Sequence, residues 1–338
     1  MATVRDPGPV YPGIAPVPES VDRPFWSVMI PVYNCADYLR LALRSVLPQF
    51  AGTDDVQIEV VDDGSTRDDP EAAVAECGAG RVTYFRQPQN VGPQANFTAC
   101  VQRARGRWVH ILHGDDMVMP GFYRALKTAA ECRSDIGAAF CRIINIDAVN
   151  EIIDMSPLEL DEAGVHENLI ERLAIQNLIM FPGIVVKRST YERVGGFHPE
   201  LFHSADWDMW KRVALAAPVW YEPTALAMYR THHKSDTFNL MQTGANIADA
   251  RHAIQIAHRY LPEANANEWS RRASRHHGLY ALEVADQMVA SRAWAAARAQ
   301  VVEAFRCSLS PQIVFGGLRV AAHAARQLTS QRSRQTNR

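Results

Sequence analysis

Four short strings place acidic, imidazole and cationic groups where a fold can aim them at a ligand. Val60-Val61-Asp62-Asp63-Gly64-Ser65-Thr66 sets two carboxylates at the tip of an apolar run and follows them with a turn. A strand end fixes side chains well, so Asp62 or Asp63 suits acceptance from a nucleobase N–H or from ribose hydroxyls, although an ordinary Asp-Gly turn is written the same way. Ile111-Leu112-His113-Gly114-Asp115-Asp116 repeats the pattern. Hard divalent cations such as Mg²⁺ and Mn²⁺ take one or two carboxylates and leave other positions to water and phosphate, a task that fits Asp115 and Asp116. In Phe202-His203-Ser204-Ala205-Asp206-Trp207-Asp208, Asp206 opens a predicted helix. The free N–H groups there favour an ionised carboxylate, whether as a cap or as a general base. Tyr229-Arg230-Thr231-His232-His233-Lys234-Ser235 gathers cationic and imidazole groups suited to a diphosphate or a metal shell, and equally to a solvated loop.

The elements that position these strings follow from hydrophobic period. Between residues 26 and 108, β-rich runs alternate with helical patterns, the signature of a parallel sheet with helices on its faces. Strands are predicted at 26–32, 57–61, 82–86 and 108–113, so that two of them end in acidic strings at the carboxyl edge, where ligands of such sheets bind. Leu39, Leu43, Val46 and Leu47 recur at helical spacing, with Asn34 upstream as the expected cap. A further helix is predicted after Asn90-Val91-Gly92, and another over 121–132. Beyond these, 138–146 and 181–187 read as strands and 207–215 as a helix, a more irregular second half. From Gly244 the chain turns rich in Ala and Arg with helical stripes such as Leu282, Ala285 and Val289, and predicts an all-helical extension.

The whole chain sets outer limits. With 338 residues, 47% of them hydrophobic, it can bury a large core and a smaller appended unit. Its 35 basic and 37 acidic residues give a net charge of −2, no field for holding nucleic acid. The six cysteines form no C-x-x-C pair and read as buried thiols of a reducing cytoplasm. No apolar run reaches the ~18 residues that cross a bilayer. The expected organisation is a Pro-rich flexible leader over 1–24, a catalytic domain over 25–243, a helical extension over 244–328 and a flexible tail over 329–338. Arg271, Arg272, Arg275, Arg292, Arg298 and Arg306 in the extension suit either a solvated face or an anionic surface, and 311–328 is amphipathic enough for peripheral membrane contact.

Taken jointly and in order, the strings resemble the inverting glycosyltransferase family 2, whose members adopt the GT-A fold. The resemblance spans about residues 27–235 and rests on Ile30-Pro31-Val32-Tyr33-Asn34, Val61-Asp62-Asp63-Gly64-Ser65, Asn90-Val91-Gly92, Leu112-His113-Gly114-Asp115-Asp116, Gly195-Gly196-Phe197, Asp206-Trp207-Asp208 and Tyr229-Arg230-Thr231-His232. It implies a GT-A type, Rossmann-like α/β domain with a mixed, mostly parallel sheet. It implies a UDP-, GDP- or dTDP-sugar donor held by Pro31, Val32, Tyr33, Asp62, Asp63, Asn90, Gly92, His113, Gly114, Asp115, Arg230 and His232. A divalent Mn²⁺ or Mg²⁺ on Asp115 and His232 is implied, as is Asp206 as the base that deprotonates the hydroxyl of a saccharide or lipid-linked acceptor. Such enzymes serve polysaccharide, glycolipid or glycoconjugate synthesis. Two positions depart from the family pattern: His113 stands where an Asp-x-Asp motif has its first acid, and Ala205 where many relatives carry Glu. These departures make a non-catalytic nucleotide-sugar-binding protein the first rival. A nucleotidylyltransferase fits less well, since Pro31-Val32-Tyr33-Asn34-Cys35 is no Gly- and Arg-rich phosphate loop. A Rossmann oxidoreductase fails for want of G-x-G-x-x-G after a strand.

Overall fold

A computed structural model describes residues 11–232 and 236–336. Its strands are β1 (Trp26–Val32), β2 (Val56–Asp62), β3 (Thr83–Arg86), β4 (Trp108–Ile111), β5 (Met117–Val118), β6 (Ala138–Ile146), β7 (Ile152–Met155), β8 (Gly164–Val165), β9 (Ile184–Lys187) and β10 (Val219–Arg230). The helices are α1 (Ala36–Val46), α2 (Pro70–Cys77), α3 (Pro93–Arg103), α4 (Phe122–Cys132), α5 (Leu169–Ile175), α6 (Arg188–Val194), α7 (Ala205–Ala216), α8 (Asp236–Thr243), α9 (Ala245–Tyr260), α10 (Glu263–Ala290), α11 (Trp294–Cys307) and α12 (Pro311–Thr336). Two compact units result. One holds the sheet and runs through Thr231 apart from 171–177; the other takes 171–177 and everything from His232. α8 therefore belongs with the helices, and the division precedes the expected boundary at Gly244.

Among the described residues the strands form one mixed sheet in the order β3-β2-β1-β4-β9-β6-β10-β5, with β7 on β6 and β8 on β10. β1 lies parallel between β2 and β4, pairing Val32 with Asp62 and Met29 with Ile111. Strand order reverses about β1, and such a reversal opens a crevice at the carboxyl ends. Every residue of β1 is buried, as near-continuous apolar strands of parallel sheets are. Leu39, Leu43 and Val46 of α1 cover it, completely removed from solvent.

Local chemistry explains where strands stop. The predicted strand over 181–187 begins only at Ile184, because Pro182 has no N–H for a ladder and instead starts a short 3₁₀ turn over Phe181–Gly183. Asn34 does not cap α1; Cys35 occupies that position without a side-chain bond. Asn34 sits at φ 55°, and its Oδ1 accepts from the N–H groups of Thr66 (2.9 Å) and Arg67 (2.8 Å), bending the loop after β2 over the end of β1. All six cysteines are free thiols, Cys100 and Cys141 buried as expected but Cys132 exposed. No described helix is long and apolar enough to cross a membrane.

Residues 11–24, the second part of the leader, have no helix or strand but are tied down. Gly196 N–H donates to Pro12 O (2.7 Å), Arg188 Nη2 donates to Ala15 O (3.0 Å), and Ile14 is buried. Arg212 holds this strap to α7. Its guanidinium lies 3.9 Å from the Tyr11 ring centre, bonds the buried Asp208 carboxylate at 2.9 Å, and donates to Val194 O and Gly196 O. Breaking a buried pair leaves a charge without a counterpart. Arg212→Ala is therefore expected to lower stability by about 3–5 kcal/mol, measured by urea unfolding; a loss below about 1 kcal/mol would show that the strap and Asp208 do not depend on it.

Candidate active site

Parallel pairing brings the ends of β1, β2 and β4 to one edge. Pro31 and Val32 are strand residues with buried side chains rather than parts of a loop, so only Tyr33, about half exposed, presents a side chain there. Gly114 N–H continues the ladder past β4 by donating to Pro31 O at 3.1 Å. A Cβ on Gly114 would stand 2.6 Å from Val32 Cγ1 and 3.0 Å from Cys35 Sγ, so the absence of a side chain is what lets the two ends meet.

Of the two carboxylates after β2, Asp62 is spent on the scaffold. Asp62 is fully buried; its Oδ1 accepts from Ser65 N–H (2.9 Å) and Ser65 Oγ (2.6 Å), and its Oδ2 from Tyr84 Oη (2.7 Å) and Arg86 Nη1 (2.7 Å). Those four bonds use roughly all the acceptor sites a carboxylate has. Arg86, half exposed and also bonded to Ser65 O, is thereby fixed at the edge as a cation. Nothing in Thr83-Tyr84-Phe85-Arg86 signals this role; it comes from the register, which sets Asp62 opposite Arg86. Asp63 accepts from Val91 N–H (2.7 Å) and Gly92 N–H (3.0 Å), while Asn90 Nδ2 donates to Asp63 O (3.1 Å). Burial raises the Asp63 pKa despite those donors. Gly92, at φ 86°, then leads into α3. Asp63, Asn90 and Gly92 are thus brought together, as parts of one turn.

After β4, His113, Asp115 and Asp116 each offer a ligand atom within 4.8 Å of the others. Asp116 is buried: Oδ1 accepts from Arg230 N–H at 2.8 Å, and Oδ2 has no hydrogen-bond partner. Burial, and then the Asp115 charge, push its carboxyl well above the usual range. The His113 ring stacks on Phe97 (4.9 Å) and meets Phe181 (4.3 Å), with Nε2 buried and without a partner. Burial lowers its pKa to about 4, Asp115 opposing, which leaves a neutral imidazole with a lone pair. Two orphaned polar atoms beside paired carboxylates are costly unless a cation completes them. One imidazole and two carboxylates suit Mn²⁺ better than Mg²⁺. The residues fit a divalent ion, with Asp115 and Asp116 as the acidic string suggests and His113 as the third donor.

Arg230 commits two of its three guanidinium nitrogens to backbone oxygens, and its buried Nη2 has no hydrogen-bond partner among the described residues. It is buried, donating from Nε to Asp115 O (2.7 Å) and from Nη1 to Asp147 O (2.9 Å), its guanidinium 4.5 Å from the Tyr38 ring centre. It braces the backbone that carries Asp115. His232 belongs to the helical unit, whereas the three-donor cluster is made by the sheet unit alone. His233, Lys234 and Ser235 lie outside the described residues.

Asp206 stands in the first turn of α7, half-buried, its Oδ1 accepting from Trp207 N–H at 2.6 Å. α7 is anchored by Trp210, whose Nε1 donates to Ile179 O and whose ring lies 5.5 Å from Phe181. Phe181 is also the ring that touches His113. One aromatic cluster thus supports both the metal-type donors and the helix of Asp206.

Residues 27–179 match the family model described as glycosyl transferase family 2. That part of the chain is similar to family 2 glycosyltransferases. Among similar proteins, the succinoglycan biosynthesis protein ExoO of Rhizobium meliloti is 34% identical over 134 residues, 39% of this chain and 36% of ExoO. An uncharacterised protein of Mycobacterium tuberculosis is 28% identical over 258 residues, covering 72% of this chain and 80% of its own length. Two solved structures share the fold. S. aureus TarS 1–349 in complex with UDP-GlcNAc superposes with a TM-score of 0.53 at 15% identity, over 82% of this chain and 90% of that one. The mannosyltransferase PcManGT of Pyrobaculum calidifontis, in complex with GDP-Man and Mn²⁺, gives 0.52 at 18% identity over 95% and 91%. The chain shares with them a mixed sheet of the GT-A type and carries a C-terminal helical region.

Beside Asp206 the glycosyltransferase buries a lysine that no motif points to. Lys211 Nζ lies 3.6 Å from the Trp207 ring centre and has no hydrogen-bond partner. Burial lowers its pKa to about 7, with the charges of Asp208 and Asp206 opposing. An unfolded lysine titrates near about 10.4. The folded state therefore binds fewer protons between these values, and the cost of burying the charge, complete below pH about 7, fades as pH rises towards about 10. Lys211→Met should stabilise the protein by about 1–3 kcal/mol at pH about 6, with the advantage shrinking at pH about 9. Chemical denaturation at both values checks this; a pH-independent difference would mean that the ammonium is not held in a desolvated site.

Proposed function

We propose that this glycosyltransferase moves a sugar from a nucleotide diphosphate donor to an acceptor hydroxyl with inversion at the anomeric carbon. The observation that carries the reading is the shared aromatic cluster, with His113 and the helix of Asp206 both packed on Phe181. The edge formed by Tyr33 and the Asp62–Arg86 pair supports a nucleoside site, since a planar ring and a fixed cation suit a base and the oxygens attached to it. UDP-GlcNAc in TarS and GDP-Man in PcManGT support a nucleotide sugar as donor.

A divalent cation, Mn²⁺ or Mg²⁺, held by Asp115 and Asp116 with His113, would supply charge neutralisation for the departing diphosphate; Mn²⁺ in PcManGT supports that assignment. Arg230 keeps Asp115 in place by holding its carbonyl. Asp206 accepts the acceptor proton as the acceptor oxygen bonds to C1 and the bond from C1 to the diphosphate breaks on the opposite face. A single displacement of that kind inverts C1. With a reference pKa near about 3.9 an aspartate is a weak base for an alcohol, so proton transfer accompanies bond formation.

The acceptor is a saccharide or lipid-linked saccharide, in polysaccharide or glycolipid synthesis. The succinoglycan role of ExoO supports a saccharide, and the exposed apolar side chains Val149, Ile152, Ile153, Met155 and Leu158 support an apolar carrier. Free thiols, one of them exposed, fit work in the cytoplasm.

Asp206→Asn fills the same volume but takes no proton. It should bind the donor normally, by titration calorimetry, while transfer falls by about 10²–10⁴-fold; near-normal turnover would remove Asp206 from the chemistry. Asp115→Ala should abolish the tightening of nucleoside diphosphate binding on adding Mn²⁺. An equal response to Mn²⁺ in both proteins would place the cation elsewhere, and a product with retained anomeric configuration in an NMR spectrum would overturn the single displacement.

A further inference from the structure

α12 carries three stripes, and packing within its own unit accounts for only one. Ile313, Gly317, Val320 and Ala324, spaced four, three and four residues apart, face the helical core. The fit is close: a Cβ on Gly317 would stand 2.8 Å from Phe305, and one on Gly316 2.7 Å from Leu282. On the adjoining side, about 100° round the helix, Val314, Leu318, Ala321, Ala325 and Leu328 recur with similar spacing and are exposed, with Phe315 beyond them. Phe315 and Leu318 are 66% and 65% exposed. Large apolar side chains lined up on one exposed helix face need a reason.

The third stripe supplies it. Arg319, His323 and Arg326 run along the border of the exposed apolar face and line an open cleft of about 510 Å³ with Asp286 and Gln327. His323 Nδ1 is 2.7 Å from Asp286 Oδ1, so a single carboxylate faces two guanidinium groups in the cleft. No Asp or Glu follows Glu303 in the sequence, so α12 has no acid of its own to answer its arginines. A second copy of α12 would bring the same unanswered arginines. An anionic phospholipid surface answers them and receives the apolar face as well.

We propose that α12 docks flat on an anionic phospholipid bilayer, with Phe315 and Leu318 in the boundary between headgroups and acyl chains and Arg319 and Arg326 on lipid phosphates. The apolar stripe from Val314 to Leu328 extends about 21 Å at 1.5 Å per residue, four turns lying along the surface. The contact is independent of the sugar-transfer reading and involves none of its residues.

Co-sedimentation of the full chain with phosphatidylglycerol–phosphatidylcholine vesicles, against pure phosphatidylcholine, tests it. The wild type should partition onto the anionic vesicles and come off in high salt. Arg319→Glu with Arg326→Glu should weaken partition about tenfold or more, and Phe315→Asp with Leu318→Asp should abolish it. These side chains are exposed, so thermal unfolding and donor binding should stay at wild-type values, which separates a failed lipid contact from a failed transferase. No partition by the wild type, or unchanged partition by either double variant, overturns the proposal. So does light scattering that finds a wild-type dimer and a Phe315→Asp, Leu318→Asp monomer, because a second copy would then cover the face.

Discussion

The parallel pairing of β1 with β2 on one side and β4 on the other is the constraint from which the site follows. Parallel neighbours must end at the same edge, and reversal of strand order about β1 leaves room there. Acidic strings that are 50 residues apart in the chain thereby become neighbours. Gly114 closes the last gap, since any side chain would meet Val32 and Cys35.

Once there, the carboxylates divide by burial and by hydrogen-bond supply. Asp62 receives four donors and fixes Arg86, whereas Asp63 takes one backbone donor on each oxygen and shapes the turn at Val91. Asp116 receives one backbone donor on one oxygen, and His113 sits between aromatic rings with a buried nitrogen unmatched. Asp62 is saturated by the protein, whereas His113, Asp115 and Asp116 keep donor atoms within 4.8 Å of one another. Charge alone does not distinguish them.

Much of the fold was legible in sequence because its elements are long or strongly periodic. The strands at 26–32 and 138–146 and the helix at 121–132 appear where hydrophobic period predicts them. The second half was less legible. Pro182 shortens β9, and the cap expected at Asn34 is lost to backbone donors thirty-odd residues away. Motifs single out Asp115 and Asp206 as candidates, since each string is local. They do not show that Arg230, whose cluster of charges looks solvated in sequence, is buried by the pairing of β10 with β6 and β5. They gave no sign of Arg86 or Lys211, because the partners that define those residues come from register and helix packing rather than from neighbours in the chain.

The brace from Arg230 to Asp115 spans 115 positions of sequence and depends on the last strand of the sheet. During synthesis, β1, β2 and β4 leave the ribosome well before β10. A chain growing at about 5–20 residues per second therefore displays its acidic segment for several seconds before the strand that secures it exists. Contacts so distant in sequence close slowly and late. The hold of Arg230 on Asp115 can form only after β10 has been made and has paired with β6 and β5.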